Sequence, residues 1–261
     1  MCIMVIDSHI HISTTGKWID SDCGAYIRDA LKQMDYANID RAIVLSLNTS
    51  SLSDNLDLAK SLTANKDRFY YFAHLDFSMP DILRDLEVLI VEHGFSGLKI
   101  HPRLHCIDPL QSMMIPVYEK AIELNIPVLI CCFMQSNTIE LEKFQPYAID
   151  RLSKRFPELK IIMAHCGWPR IWDAYHVVKS NENVYMDISY ILTRFRRTSL
   201  IKDILFMLET LDQKIIYGSD FPENSIAEYL SEFRLLANGL SLEKMENMCY
   251  KNILRIIGAS H

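Results

Sequence analysis

The run Asp7-Ser8-His9-Ile10-His11, directly after the apolar segment Ile3-Met4-Val5-Ile6, constrains this chain more than any other feature. Alternate residues of a strand point to the same side, so His9 and His11 would leave a strand end together. Two imidazoles at that spacing can chelate one divalent cation, because neutral imidazole is a good ligand for zinc, iron, nickel or copper. The competing reading is a histidine-bearing strand end without metal. What favours the first lies further along the chain.

Short apolar, β-branched runs recur about every 25 to 35 residues and alternate with longer helical patterns, the signature of βα units and a parallel sheet. The runs fall at 2–6, 41–47, 69–75, 97–101, 127–132, 159–165, 184–188 and 214–218. Helical patterns occupy 26–37, 80–93, 113–124, 139–156, 171–179, 198–211, 225–236 and 242–257. Eight strands with interleaved helices predict an α/β fold, a closed (β/α)8 TIM barrel forming a single domain over residues 1–261. The polar, aperiodic segment 13–24 reads as a long loop at the barrel mouth, able to cover a ligand.

Composition narrows the classes of function. With 49% hydrophobic residues in 261, the chain can bury a large core. A net charge of −6 offers no basic footprint for nucleic acid, so no such partner is expected. Seven cysteines without a Cys-x-x-Cys pair argue against a disulfide framework and fit a reducing cytoplasm. The leading apolar run is too short for a signal-peptide core, and no segment approaches the ~18 apolar residues of a membrane span. A cytoplasmic protein with a small-molecule substrate is the expectation.

In barrels of this kind the functional groups gather at the C-terminal ends of the strands. There the sequence places His101 and Arg103 after the fourth run, His165 after the sixth and Asp220 after the eighth. Singly, each has a structural alternative as a loop, core or capping residue. Together with His9 and His11 they make a set of metal-binding and acid-base groups at one end of one barrel.

The order of these pieces resembles the amidohydrolase superfamily, in the branch that includes aminocarboxymuconate-semialdehyde decarboxylase, γ-resorcylate decarboxylase and the pyrone-dicarboxylate lactonases. The matching stretches are 7–11, Gly97-Leu98-Lys99-Ile100-His101-Pro102, Ile126-Pro127-Val128-Leu129-Ile130, Ala164-His165-Cys166-Gly167 and Gly218-Ser219-Asp220-Phe221-Pro222. The resemblance implies one divalent metal ion, often zinc, held by the two histidines of the first strand, a histidine on the fifth and the aspartate on the eighth. His9, His11 and Asp220 match, and His165 matches the family's catalytic histidine. On the fifth strand this chain departs from the pattern with Cys131 and Cys132. Cys131 is either a thiolate ligand completing the site or a small buried apolar residue. Some relatives use a carboxylated lysine on the fourth strand, but Lys99 reads better here as structural or substrate-facing.

The expected activity is a metal-dependent hydrolase of a small amide, ester or lactone, with Zn2+ the expected ion. In it Asp220 moves protons and His165 stabilises the oxyanion. His101, Arg103 and Arg194 would bind the substrate, arginine being suited to a carboxylate. Trp18, Trp168 and Trp172 are candidates for walling a ring. A non-oxidative decarboxylase on the same scaffold and a catalytically silent small-molecule-binding barrel are the alternatives. Barrels of this type often pair through outer helices, which makes a homodimer the assembly to test.

Overall fold

The computed structural model describes residues 3–18, 24–46 and 51–259. Eight strands alternate with helices along the chain: β1 (Ile6–Ile10), β2 (Arg41–Leu45), β3 (Phe69–Ala73), β4 (Gly97–Ile100), β5 (Val128–Ile130), β6 (Ile161–Met163), β7 (Val184–Asp187) and β8 (Ile215–Ile216). They form one parallel sheet in sequence order. The sheet closes on itself through backbone bonds from Ser8 N–H to the Tyr217 carbonyl (3.1 Å), Asp220 N–H to the His9 carbonyl (2.8 Å) and His11 N–H to the Phe221 carbonyl (2.7 Å). The architecture is the (β/α)8 barrel that the alternating pattern predicts. Among the described residues no helix is long and apolar enough to cross a membrane.

Strand alternation sorts the apolar side chains into two cores. Ile43, Leu45, Phe72, Leu129, Ile162 and Ile216 fill the inside of the barrel, with Ile6 among them. Their neighbours Ala42, Val44, Leu98, Ile100, Val128, Ile130, Ile161 and Met163 pack outward against the helices. Lys99, between two outward residues, is by the same alternation an inward one, and it is fully buried.

β1 breaks this rhythm. Ile6 belongs to the inner core, yet Ile10 and Ile12 belong to the outer one, which strict alternation from Ile6 forbids. The register against β2 shifts between Asp7 and Ile10. A one-residue shift moves every later side chain to the opposite face. This irregularity is what turns His9 and His11 to the barrel interior.

Several boundaries differ from the sequence expectation. The first strand runs through the Asp7-Ser8-His9 stretch rather than stopping at Ile6, because β2 and the segment after β8 supply backbone partners on both sides. A helix not foreseen from periodicity, Leu52–Ser61, joins β2 to β3 and starts at a reciprocal Ser51–Asp54 capping box. The helix expected over 139–156 is a 3-10 turn, Leu141–Phe144, followed by an α-helix, Pro146–Arg155. Pro146 accounts for the break, since it favours the first helical position and keeps Gln145 extended. The last helical stretch contains a π-helical turn, Asn247–Lys251, between Leu242–Glu246 and Asn252–Ile257. The expected strand ends at Cys2 and Leu47, and the middle of the 13–24 loop, lie outside the described residues.

Gly218 sits at the closing seam, where a Cβ would stand 2.8 Å from His9 Cβ and 3.2 Å from its backbone nitrogen. Overpacking of this kind costs about 1–3 kcal/mol. Gly218→Ala is therefore expected to lower the urea unfolding midpoint by that equivalent. An unchanged midpoint would show that the seam has room to spare.

Candidate functional site

The residues around the closing seam meet at the C-terminal mouth of the barrel. His9 leaves β1, Lys99 leaves β4 and Asp187 ends β7, while His11, His101, Cys131, His165 and Asp220 follow just after their strands. All are buried. Two of them, with Tyr190 nearby, have positive φ, rare for residues with a Cβ: His165 (φ 58°), Asp220 (φ 67°) and Tyr190 (φ 71°). The conformation is held by specific bonds. His165 N–H donates to Asp187 Oδ1 (2.9 Å), and Asp220 N–H takes the seam bond to the His9 carbonyl.

Asp187 organises the histidines. Besides His165 N–H, its Oδ1 accepts from Ser189 N–H (3.0 Å) and Ser189 Oγ–H (2.5 Å), and its Oδ2 lies 2.8 Å from His9 Nδ1. Burial alone would push the Asp187 carboxyl up, but His9 beside it prevails and holds it well below the usual carboxylate range. Ionised, Asp187 can only accept, so His9 Nδ1 carries the hydrogen and Nε2 is bare in the neutral ring. His11 Nδ1 faces the Leu45 carbonyl at 2.8 Å, which leaves its Nε2 bare in the same way.

These two bare nitrogens converge on one carboxylate oxygen. Asp220 Oδ1 lies 3.1 Å from His9 Nε2 and 3.2 Å from His11 Nε2. His9, His165 and Asp220 also each offer a ligand atom within 4.8 Å of the others. In the neutral rings two lone pairs face that carboxylate, with Lys99 Nζ 3.5 Å from His9 Nε2, a convergence that can hold a cation. Burial pushes Asp220 up, but His9 and His11 hold it well below its ordinary value, so it is anionic. Burial would lower His9, as would Lys99, yet Asp187 and Asp220 raise it overall. Burial pushes His11 down to about 3, leaving it a neutral ligand. The donor set, two imidazoles and a carboxylate with a third imidazole at its edge, suits a divalent transition ion.

Cys131 is placed differently from the other candidates. Its thiol lies beside the rings of both His101 and His165. Burial pushes the thiol up, but the two imidazoles outweigh it and hold it well below the ordinary thiol range. The sulfur does not belong to the His9, His165 and Asp220 group.

The mouth above these residues is a cavity of about 230 Å³, room for one small molecule. His101, Arg103, Arg194, Lys99 and Gln135 line it beside the aromatic rings of Trp18, Phe133 and Tyr190. Arg103 lies 5.4 Å over the Phe133 ring, and Arg194 lies 5.1 Å over Tyr190, whose hydroxyl it also contacts through Nε (2.9 Å). Neither guanidinium makes an ion pair with a carboxylate among the described residues. Arg196, by contrast, pairs with Glu228 and Glu232 away from the cavity. Trp18 stacks on His11 at 4.3 Å and donates its indole N–H to Glu223 (2.5 Å). Trp168 packs behind Phe133, and Trp172 is exposed on an outer helix, so of the three tryptophans Trp18 alone lines the cavity.

Asp187 and Ser189 belong to this candidate site by their contacts, and sequence reasoning passed over them. The signal was the Asp187-Ile188-Ser189-Tyr190 run after the seventh strand, the same strand-end position that singled out His165 and Asp220. Glu223, Phe133 and Tyr190 carried no such mark, since only the folded mouth brings them to the cavity.

Among known sequence families, the one described as amidohydrolase matches the chain over residues 6–259. No curated protein matches significantly. Solved structures with the same fold include 5-carboxyvanillate decarboxylase from Sphingomonas paucimobilis, at 13% identity and a TM-score of 0.77, covering 99% of this chain and 100% of that one. A probable 2-pyrone-4,6-dicarboxylic acid hydrolase from Acinetobacter baumannii with citric acid bound aligns at 16% identity and 0.71, covering 97% and 99%. A dihydroxybenzoic acid decarboxylase from a Polaromonas species, with manganese and the inhibitor 2-nitroresorcinol, aligns at 19% and 0.74, covering 98% and 97%.

Removing the Asp187 carboxylate should loosen the site as a whole. For Asp187→Ala, losing a buried partner of His9 is expected to cost about 3–5 kcal/mol of stability. Divalent-ion affinity should fall about 10–100-fold. Urea denaturation and a metal-binding titration measure the two effects, and wild-type affinity in the variant would separate Asp187 from the ion site.

Proposed function

Because this chain belongs to the amidohydrolase family, we propose that it is a metal-dependent hydrolase of a small amide, ester or lactone bearing a carboxylate. The observation that carries the reading is the meeting of bare His9 Nε2 and His11 Nε2 with Asp220 Oδ1 at the base of the cavity. His9, His11 and Asp220 would hold one divalent ion, with His165 at its edge. Zn2+ is the ion this donor chemistry favours, although manganese in the Polaromonas decarboxylase marks a second candidate. Such an ion, when bound, acidifies water and polarises a carbonyl.

The remaining work falls to the protein's own groups. Asp220, anionic and reaching the cavity, accepts the proton of the attacking water and returns it to the leaving group. His165, tied to Ser189 through Nδ1, presents its other nitrogen to the developing oxyanion when protonated. Arg103 and Arg194, each backed by an aromatic ring, supply guanidinium donors for a substrate carboxylate. Lys99 brings its amine to 3.5 Å from His9 Nε2, with burial lowering its pKa from the ordinary value.

A second reading, a non-oxidative decarboxylase, draws on this concentration of cations around the mouth. It is also supported by the hydroxylated aromatic acids named for two of the fold neighbours. There the arginines and the ion would orient the carboxylate to be lost, and Asp220 or His165 would deliver the replacing proton.

Elemental analysis of purified protein is expected to find about one divalent ion per chain, absent from the His9→Ala/His11→Ala variant. Asp220→Asn should lower turnover by about 10²–10⁴-fold while changing ligand binding far less. An unaltered rate would remove Asp220 from the chemistry. Assays of aromatic and dicarboxylic acids, lactones and amides that follow both CO2 release and simple hydrolysis separate the two readings, since only the lyase liberates the gas.

A further inference from the structure

The chain leaves β7 through a turn that few residues tolerate. Tyr190 stands at its apex with φ 71° and ψ −37°, and Ile191 N–H donates to the Ser189 carbonyl at 2.9 Å. A bond between residues i and i+2 around a positive φ is the strained kind of γ-turn, uncommon for a residue with a Cβ. Such backbone persists only where the surroundings over-determine it.

The surroundings hold this turn from two sides. Asp187 Oδ1 accepts both the Ser189 N–H and the Ser189 hydroxyl. Tyr229, a fully buried residue of the helix Ile226–Leu236, bridges the ends of the turn. Its hydroxyl donates to the Ile188 carbonyl and accepts the Leu192 N–H (3.3 Å).

The side chain displayed by this turn is a phenol at the cavity wall. Its ring crosses Phe133 at 78° (centroids 5.0 Å) and His165 at 71° (6.1 Å). Arg194 Nε–H donates to the phenol oxygen at 2.9 Å. Arginine offers no acceptor, so the phenol hydrogen cannot return that bond, and it meets no acceptor among the described residues. The cavity therefore has a neutral donor whose oxygen is fixed by a cation and whose hydrogen is unused.

We propose that Tyr190 is a substrate-binding residue that sets specificity. Its hydroxyl donates to one oxygen of the substrate carboxylate, while Arg194, which orients that hydroxyl, meets the charge with its remaining guanidinium N–H groups. The assignment rests on the carboxylate-bearing substrate of the proposed function. The phenol adds a demand that a guanidinium alone does not make, since an acceptor oxygen must lie within reach of one fixed O–H. A substrate with an alkyl or ammonium group in that place leaves the donor unpaired and is rejected.

Benzoate, a ring bearing one carboxylate, is the probe for calorimetric titration of the full-length protein. Tyr190→Phe should bind it about 10–100-fold more weakly, the range for a hydrogen bond to a charged group, with a urea midpoint close to that of wild type. Arg194→Lys should also weaken binding, and the two losses should fall short of adding in the double variant, because the side chains act as one unit. In protein carrying 13Cζ-tyrosine, the signal missing from Tyr190→Phe should move when benzoate is added to wild type. For the backbone, Tyr190→Gly should have a higher urea midpoint than Tyr190→Ala, since glycine alone adopts positive φ freely.

Equal benzoate affinity in wild type and Tyr190→Phe, an unmoved Tyr190 signal, additive losses, or an alanine variant as stable as the glycine one would each overturn the assignment. Failure of wild type to bind benzoate would overturn it together with the carboxylate-bearing substrate. None of these measurements needs turnover. The expected binding pattern without hydrolysis of any substrate would count against the hydrolase reading and leave the role of Tyr190 standing.

Discussion

A carboxylate with no exposed surface needs partners for every lone pair it can offer, and Asp187 finds them in His9, His165 and Ser189. The mouth of the barrel is arranged around this demand. An ionised group in an apolar interior is tolerable only when paired and hydrogen-bonded. The bonds that meet this condition tie β7 to β1 and to the turn after β6. They also settle which nitrogen of His9 carries a hydrogen. From that one choice follow, in the neutral ring, the bare Nε2 and its approach to Asp220.

Charge is layered in this mouth. At its base, Asp187 and Asp220 face His9 in a region shielded from water, where opposite charges act strongly on one another, while burial pushes Lys99 down from its ordinary value and keeps His11 neutral. At the rim, Arg103 and Arg194 are backed by rings rather than by acids. Their electrostatic reach is therefore directed at whatever enters the cavity. A ligand entering the cavity would meet these two cations before it met Asp220.

Much of the fold was legible because a parallel barrel buries its strands on both faces and so writes them as continuous apolar runs. The runs around 41–47, 97–101 and 159–165 contain observed strands for this reason. Helix Leu52–Ser61 was missed because its signal lay in the Ser51–Asp54 cap rather than in apolar periodicity; burial there is confined to Asn55 and Leu58. The helix expected across 139–156 was overextended because apolar spacing continues through Gln145-Pro146, where backbone sterics stop the helix. At the site, His9, His11, His165 and Asp220 stood out as polar residues at strand ends. Asp187 had the same position but followed an unremarkable Val184-Tyr185-Met186 run, and its importance lies in what it touches.

The sequence by itself determined the barrel, through the repeated alternation of apolar runs and amphipathic helices. It also determined which residue types stand at the strand ends, through Asp-Ser-His-Ile-His, Ala-His-Cys-Gly and Gly-Ser-Asp-Phe-Pro. Only the tertiary structure decided which of those side chains face inward, because the phase of β1 is reset by a register shift against β2 that no pattern within β1 reveals. It alone decided that Cys131 meets His101 and His165, and that His165 joins His9 and Asp220. The physical reason is common to both cases. Periodicity is a property of one strand and its neighbours in sequence, whereas the contacts that make this site cross from β1 to β8 and from β4 through β7, which meet only when the sheet closes.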